Sequence, residues 1–364
     1  MRVIISGGGT GGHIFPAVSI ANAIKRAQPS TEFLFIGANG RMEMEKVPAE
    51  GYKIIGLPVR GFLRPLYNPK NIFVLLDLWK SIRKAKQIIR DFKPDVAVGV
   101  GGYASAAALK AAAALDVPYV LQEQNGFAGV TNQKLAKNAK KICVAYPGME
   151  RFFPADRIVM TGNPVRQSLL ECTASVEEAR KSFGLDPDRP TIFVTGGSLG
   201  ARSINESIAA GIQDLENSGV QVLWQTGKAD GNKWNDIATA ANAKYVHPTI
   251  FVTDMAKAYR AADVVVSRAG AGAVNEICLI GKASILVPLP TAAEDHQTAN
   301  ARALSTKDAA ILIPDKEART TLVREAIKLV SNKDQIKDME EKAKAMGKFG
   351  AADTIAQIVI EEAK

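Results

Sequence analysis

Two segments of this chain open alike, and that repetition constrains the fold more than any other feature. Arg2–Ser6 is a short β-branched run leading into Gly7-Gly8-Gly9-Thr10-Gly11-Gly12-His13. Thr191–Thr195 is a second such run, leading into Gly196-Gly197-Ser198-Leu199-Gly200-Ala201-Arg202. A glycine turn between a strand and a helix lets backbone approach a ligand closely. The helix behind it offers unpaired N–H groups and the positive end of its dipole. Further strands are expected at 33–37, 53–57, 95–100, 119–122, 141–144 and 157–161, then at 220–225, 245–247, 264–267, 284–288 and 310–313. Most are unbroken apolar runs, the pattern of strands covered on both faces. Helical patterns alternate with them, as at 15–27, 71–92, 204–216 and 295–304. Such alternation makes parallel sheets. The expected fold is α/β, with two Rossmann-like domains facing each other across a cleft. Turn residues Gly162-Asn163-Pro164 place the boundary, giving domains 1–162 and 163–345. On these grounds the last helix, within 346–364, packs on either one.

Composition narrows the function. With 47% apolar and 23% charged residues the chain can bury a core. Its net charge of +9 is unevenly spread. Residues 1–162 carry 22 Lys/Arg against 11 Asp/Glu, and residues 163–364 carry 24 against 26, so the halves stand at +11 and −2. A basic half points to phosphates, nucleic acid or an anionic membrane. Nucleic acid is set aside, because the first half has neither an RGG tract nor interleaved aromatic and basic residues. Three scattered cysteines (Cys143, Cys172, Cys278) without a CxxC, and three scattered histidines (His13, His247, His296), suggest no metal site and a reducing compartment. The first residues lack a signal-peptide pattern, and no run of 18 apolar residues occurs.

Gly7, Gly9 and Gly12 match GxGxxG. A dinucleotide site also wants an acid at the end of the second strand, for the ribose. That strand ends Phe35-Ile36-Gly37-Ala38-Asn39, and Glu32 precedes it, so NAD is disfavoured. A tight turn serving only helix–strand packing is the plain alternative. No GxxxxGK[ST] is present. Two more glycine loops, Gly99-Val100-Gly101-Gly102-Tyr103 and Ser267-Arg268-Ala269-Gly270-Ala271-Gly272, follow strands. The second opens a helix carrying Glu276, either a partner for vicinal ribose hydroxyls or a solvated helix carboxylate. Glu294 and Asp295 suit a first helical turn, and Gln297 and Asn300 share one helix face, either as contacts for sugar hydroxyls or as solvated polar positions.

Seven motifs occur in order: GGGTGGHIFPA (7–17), GVGGYAS (99–105), QEQN (122–125), GNPVR (162–166), GGSLGAR (196–202), SRAGAGAVNE (267–276) and EDHQTANA (294–301). Together, over nearly the whole chain, they resemble the MurG family of bacterial UDP-N-acetylglucosamine transferases, which convert lipid I to lipid II in peptidoglycan synthesis. The resemblance implies a GT-B fold with the C-terminal helix returning to the first domain. It implies inverting transfer of N-acetylglucosamine to the 4-hydroxyl of N-acetylmuramic acid. The donor, UDP-N-acetylglucosamine, would lie mainly on the second domain. There Ser198 would meet the diphosphate, Arg166 would add a cation, and the Val252 backbone would read uracil. Ala271, Gly272, Ala273, Val274, Asn275 and Glu276 would line the nucleotide, and Gln297 would bind sugar hydroxyls. Thr10, Gly11, Gly12, Tyr103 and Asn125 would reach substrates from the first domain. No cofactor or metal is implied. One departure is Ala106-Ala107 after Ser105, where the family usually has Gly-Pro.

Inversion needs a base for the acceptor hydroxyl and stabilisation of the leaving UDP. His13 is the leading base candidate, since an ordinary histidine accepts protons near neutrality; Glu123 is the second, and the alternative is that His13 only bonds an acceptor phosphate or orients the sugar. The implied partners are lipid I, an anionic membrane surface and cell-wall synthesis and division proteins. The implied location is peripheral, on the cytoplasmic face of the cell membrane. The stretch 68–92 is the candidate membrane contact: Phe73, Leu76 and Trp79 sit among Ile72, Val74, Leu75 and Leu78, followed by Lys80, Arg83, Lys84 and Lys86, with Lys70 just before. A helix end buried in the core is its alternative. Competing functions are another GT-B enzyme, an epimerase or glycolipid synthase, and a non-catalytic nucleotide-sugar-binding scaffold.

Overall fold

In a computed structural model the described residues are 1–9, 11–61, 69, 71–165, 167–292 and 295–363. The chain divides into two compact units, Met1–Arg166 with Lys348–Lys364, and Gln167–Gly347. The first holds a seven-stranded sheet built from β1 (Arg2–Ser6), β2 (Glu32–Ala38), β3 (Ile54–Leu57), β4 (Val96–Gly99), β5 (Tyr119–Glu123), β6 (Lys141–Val144) and β7 (Ile158–Met160). Its order is β3-β2-β1-β4-β5-β6-β7, every pair parallel. The second holds β8 (Thr191–Thr195), β9 (Gln221–Gln225), β10 (Val246–Thr249), β11 (Val264–Ser267), β12 (Ala283–Leu286) and β13 (Ile311–Leu312). Their order is β10-β9-β8-β11-β12-β13, again parallel. All thirteen expected strands are present, with ends shifted by a residue or two.

The unbroken apolar runs follow from burial on both faces. Ile4, Leu34 and Ile36 point into a core shared with α3 (Asn71–Phe92) and α4 (Tyr103–Ala113). Val3, Ile5 and Phe35 point to the other face, under α1 (Gly11–Ala27). The helix Ala351–Glu362 completes that second face with Ile355, Ala356, Val359 and Ile360, and Arg26 pairs with Asp353 at 2.7 Å. The apolar stripe of this helix therefore returns the chain's end to the first unit.

Three expectations change. The turn Gly162-Asn163-Pro164 belongs to the first unit, so the boundary lies a few residues beyond the expected one. Asn163 holds it there: its Nδ2 donates to the Gln124 carbonyl at 2.9 Å and its Oδ1 accepts from Gln122 Nε2 at 3.0 Å. The expected helix 204–216 is two, Arg202–Ala210 and Ile212–Ser218. At the break, Val323 of the helix Asp315–Val330 packs onto Gly211, where a Cβ would stand 2.6 Å from Val323 Cγ2. The helix at 295–304 starts at His296, and Asp295 precedes it with φ 51° instead of occupying its first turn.

Candidate active site

In an open parallel sheet, ligands bind beyond the strand C-termini where the strand order reverses direction. In the first sheet that point lies between β1 and β4. The loops leaving these strands are the two glycine segments Gly7–Gly12 and Gly99–Gly102, and they touch. A Cβ at Gly102 (φ 88°) would stand 2.6 Å from the Gly8 carbonyl oxygen. One at Gly101 would stand 2.9 Å from His13 Nε2. The imidazole of His13, third residue of α1, therefore rests against bare backbone, half-buried at the switch point. Tyr103 begins α4 and is 51% exposed, its ring lying over Gly61. Gly12 is exposed and Gly11 half-buried at the start of α1. Thr10 lies outside the described residues.

Glu123 is engaged by protein donors on both carboxylate oxygens. It ends β5 at 2% exposure. Its Oε1 accepts from the Asn125 amide at 3.1 Å and from Asn125 Nδ2 at 3.3 Å. Its Oε2 accepts from the Gly129 amide at 3.0 Å and Asn132 Nδ2 at 2.9 Å. Four donors, three from its own loop and one from Asn132 of the following helix, occupy the carboxylate, so it shapes residues 124–129, Asn125 among them. Gln124 extends this buried network by donating to the Val100 carbonyl at 2.9 Å. The QEQN and GNPVR motifs are thus largely one hydrogen-bonded unit that braces the second glycine loop.

In the second sheet the reversal lies between β8 and β11. The loop after β8 is held through its carbonyls: Lys228 N donates to Ser198 O at 3.1 Å and Ala229 N to Leu199 O at 3.2 Å. Gly200 (φ 88°) crosses so close to Thr226 that a Cβ would stand 2.1 Å from its oxygen. Gln225, 3% exposed, donates from Nε2 to Thr195 Oγ1 (2.9 Å) and Gly197 O (3.2 Å), and its Oε1 accepts the Val252 amide at 2.9 Å. One side chain thus ties the glycine loop to the segment carrying Val252. The Val252 amide is thereby engaged within the protein. Ser198 is half-buried on the loop. Arg166 lies outside the described residues.

The helix Ala271–Ile280 starts after Gly270 in the adjacent loop. Ala271 and Val274 are buried on the same helix side as Ile277 and Cys278, so their side chains face the core. Gly272 is exposed, and Ala273, Asn275 and Glu276 are half-buried. Tyr259 Oη donates to Glu276 Oε2 at 2.9 Å. Tyr259 is itself fixed edge-on against Phe193, ring centroids 5.7 Å apart. Beneath the loop, Arg268 bonds Asp315, Ser203 Oγ (3.0 Å) and the Val287 and Pro288 carbonyls (3.2 and 3.1 Å). Gln297 Oε1 accepts the Leu289 amide at 3.0 Å, which turns its NH2 into the group available for a ligand. Asn300 is buried and donates to Ala269 O at 3.1 Å, so it braces the loop. Glu294 lies outside the described residues.

Sequence reasoning missed Gln225, Tyr259 and Arg268. A signal existed for one: Gln225 ends an apolar strand run, where a polar residue needs a specific partner.

Two family models match, the glycosyltransferase family 28 N-terminal domain over residues 3–144 and its C-terminal domain over 191–358. Curated relatives include the UDP-N-acetylglucosamine--N-acetylmuramyl-(pentapeptide) pyrophosphoryl-undecaprenol N-acetylglucosamine transferases of Phocaeicola vulgatus and Bacteroides fragilis. Each is 53% identical, over 99% and 100% of this chain respectively and 96% of the relative. The chain belongs to this transferase family, the MurG family. Among solved structures, Acinetobacter baumannii MurG matches with TM-score 0.75 at 27% identity, covering 99% of both chains. A UDP-GlcNAc 2-epimerase from Neisseria meningitidis bound to UDP-GlcNAc matches with TM-score 0.66 at 14% identity over 99% of this chain and 100% of its own, a likeness of fold alone. The MurG family fold is thus two parallel-sheet Rossmann-like units of GT-B type, as the motifs implied.

The α3 helix carries the candidate membrane residues. Ile72, Phe73, Leu75, Leu76 and Trp79 are 50–61% exposed, while Val74 is buried and Leu78 packs on the core. The alternative of a helix end buried in the core therefore fails for these five. Lys80 and Arg83 are exposed beside them, the Arg83 guanidinium 5.8 Å from the Trp79 ring centroid. Lys84 is spent on the Gly56 carbonyl at 2.9 Å. Lys70 lies outside the described residues. Among the described residues no helix is long and apolar enough to cross a membrane.

Proposed function

We propose that this enzyme transfers N-acetylglucosamine from UDP-N-acetylglucosamine to the 4-hydroxyl of N-acetylmuramic acid in lipid I, with inversion, giving lipid II. The observation that carries the reading is the second sheet's switch point. There a glycine loop held by its carbonyls, a helix N-terminus and a Tyr-braced carboxylate converge in a chain 53% identical to curated transferases of that name.

Loop carbonyls committed to Lys228 and Ala229 turn the opposite edge of the Ser198 loop toward the diphosphate. Its N–H groups and the N-terminus of the helix Arg202–Ala210 then oppose the charge that grows on departing UDP. Glu276 takes the ribose hydroxyls, the Val252 carbonyl the uracil, and Gln297 the sugar. The reading assigns no metal or further cofactor. Transfer is one in-line displacement through an oxocarbenium-like carbon, with a sugar hydroxyl in the role of water. His13 accepts the hydroxyl proton. Gly11, Gly12, Tyr103 and Asn125 position the acceptor. Thr10 and Arg166 retain the roles the resemblance implies.

The acceptor is a membrane lipid, and the apolar patch of α3 with Lys80 and Arg83 is its docking surface on an anionic bilayer, which places the enzyme peripherally on the cytoplasmic face. The same role in cell-wall assembly suggests contact with synthesis and division proteins.

The test is UDP release from UDP-N-acetylglucosamine with and without a lipid I analogue. Acceptor-dependent release of stoichiometric UDP and a disaccharide product is expected. Donor binding with no acceptor-dependent release would make the chain a non-catalytic scaffold. For docking, replacing Phe73, Leu76 and Trp79 by serine should abolish binding to anionic vesicles; unchanged binding refutes that surface.

A further inference from the structure

The first glycine loop is held differently from the second. Its clamp is Glu43, first residue of α2 (Glu43–Ala49), wholly buried. Glu43 Oε2 accepts the Gly9 amide at 2.9 Å, and Oε1 accepts the Ala38 amide at 2.9 Å. One carboxylate thus joins the glycine loop after β1 to the end of β2. The space is filled: a Cβ at Gly8 would stand 2.2 Å from Glu43 Oε1, and one at Gly37 2.6 Å from its Cγ. In a dinucleotide site an acid near this place reads a ribose. Here the acid is inside and consumed by protein amides. In the second unit the neutral Gln225 holds the corresponding loop by its Gly197 carbonyl. The contrast matters chemically. A carboxylate under Gly9 takes one of the loop's amides and sets negative charge beneath it, whereas Gln225 is neutral and takes a carbonyl of its loop.

We infer that Glu43 is a positioning residue for transfer: by anchoring Gly9 to β2 it fixes where α1 begins, and so where His13 stands against Gly101. The inference rests on the transferase reading above and on His13 taking part in it. Glu43 touches no substrate.

The experiment compares wild type with Glu43→Gln, which is nearly isosteric but turns an NH2 toward one of two N–H donors. Turnover, the KM for a lipid I analogue, UDP affinity and thermal midpoint are measured. The expected result is at least a tenfold loss of kcat, a raised acceptor KM and UDP affinity within twofold, with the protein folded at the assay temperature. A clamp that is structural only would lower the midpoint and leave kcat and acceptor KM within twofold, and that result overturns the inference. Should E43Q not fold, Gly37→Ala pushes Glu43 from the strand side without substituting any residue of the glycine loop, and the same criteria apply. If the wild type transfers nothing to the lipid I analogue, the transferase reading fails first. Amide exchange then decides the clamp: faster exchange at Gly9 in E43Q with an unchanged Ser198 loop retains the anchor, and unchanged exchange at Gly9 overturns it.

Discussion

Gly197 and Gly200 lie in the same loop with nearly the same backbone, φ 82° and 88°, but in different surroundings. A Cβ on Gly197 meets nothing within 4 Å, whereas one on Gly200 would stand 2.1 Å from Thr226 O and 3.1 Å from its carbon. Gly197→Ala therefore costs backbone strain alone, about 2 kcal/mol. Gly200→Ala adds an unrelieved clash, a further ~2 kcal/mol, since the opposing atoms are backbone and cannot rotate away. For a unit of this size 1 kcal/mol moves Tm by roughly 2–4 °C. The midpoint of Gly200→Ala should thus fall roughly 4–8 °C below that of Gly197→Ala. Trp224 and Trp234 make this measurable by fluorescence: both are buried in the second unit, ring centroids 5.8 Å apart, and the third tryptophan, Trp79, is removed by a Phe background. Gly200→Ala should also weaken UDP binding by about tenfold, because lifting the loop breaks its carbonyl bonds to Lys228 and Ala229. Equal midpoints for the two variants would refute the claim that backbone contact with Thr226 sets this loop.

His13→Ala should lose turnover by about 10²–10⁴-fold with UDP affinity unchanged, and near-normal turnover would remove His13 as the base. Glu123→Gln should instead destabilise the first unit by about 1–3 kcal/mol, seen as a lower Tm, because two of its four donors then face an NH2. Tyr259→Phe removes the hydroxyl that bonds Glu276 Oε2 and should raise the donor KM about fivefold, on the order of 1 kcal/mol, with the acceptor KM unmoved. Burial lowers the His247 pKa from 6.5, opposed by Glu216, so the unfolded chain binds its proton first on acidification. The second unit's stability should be full above pH 6.5 and fall as pH drops toward the folded-state pKa; His247→Gln should flatten that slope in pH-dependent unfolding.

The sequence alone determined the two-unit architecture and the positions of its loops. Strands covered on both faces write unbroken apolar runs, and glycine turns mark where each unit begins, so Arg2–Ser6 and Thr191–Thr195 were legible to the residue. The candidate substrate groups were legible as motifs, because glycine loops and their following helices are local in sequence. Tertiary structure decided which motif side chains stay exposed and which hold others. Glu123, Asn300, Ala271 and Val274 lie in the right segments, yet their side chains are consumed by the loop or the core. The clamps themselves join residues far apart in the chain: Gly9 to Glu43, Gly197 and Val252 to Gln225, Glu276 to Tyr259. Such pairings leave no period and no motif. A buried polar atom takes whatever partner the packing brings within hydrogen-bond distance, and only the folded chain fixes that distance.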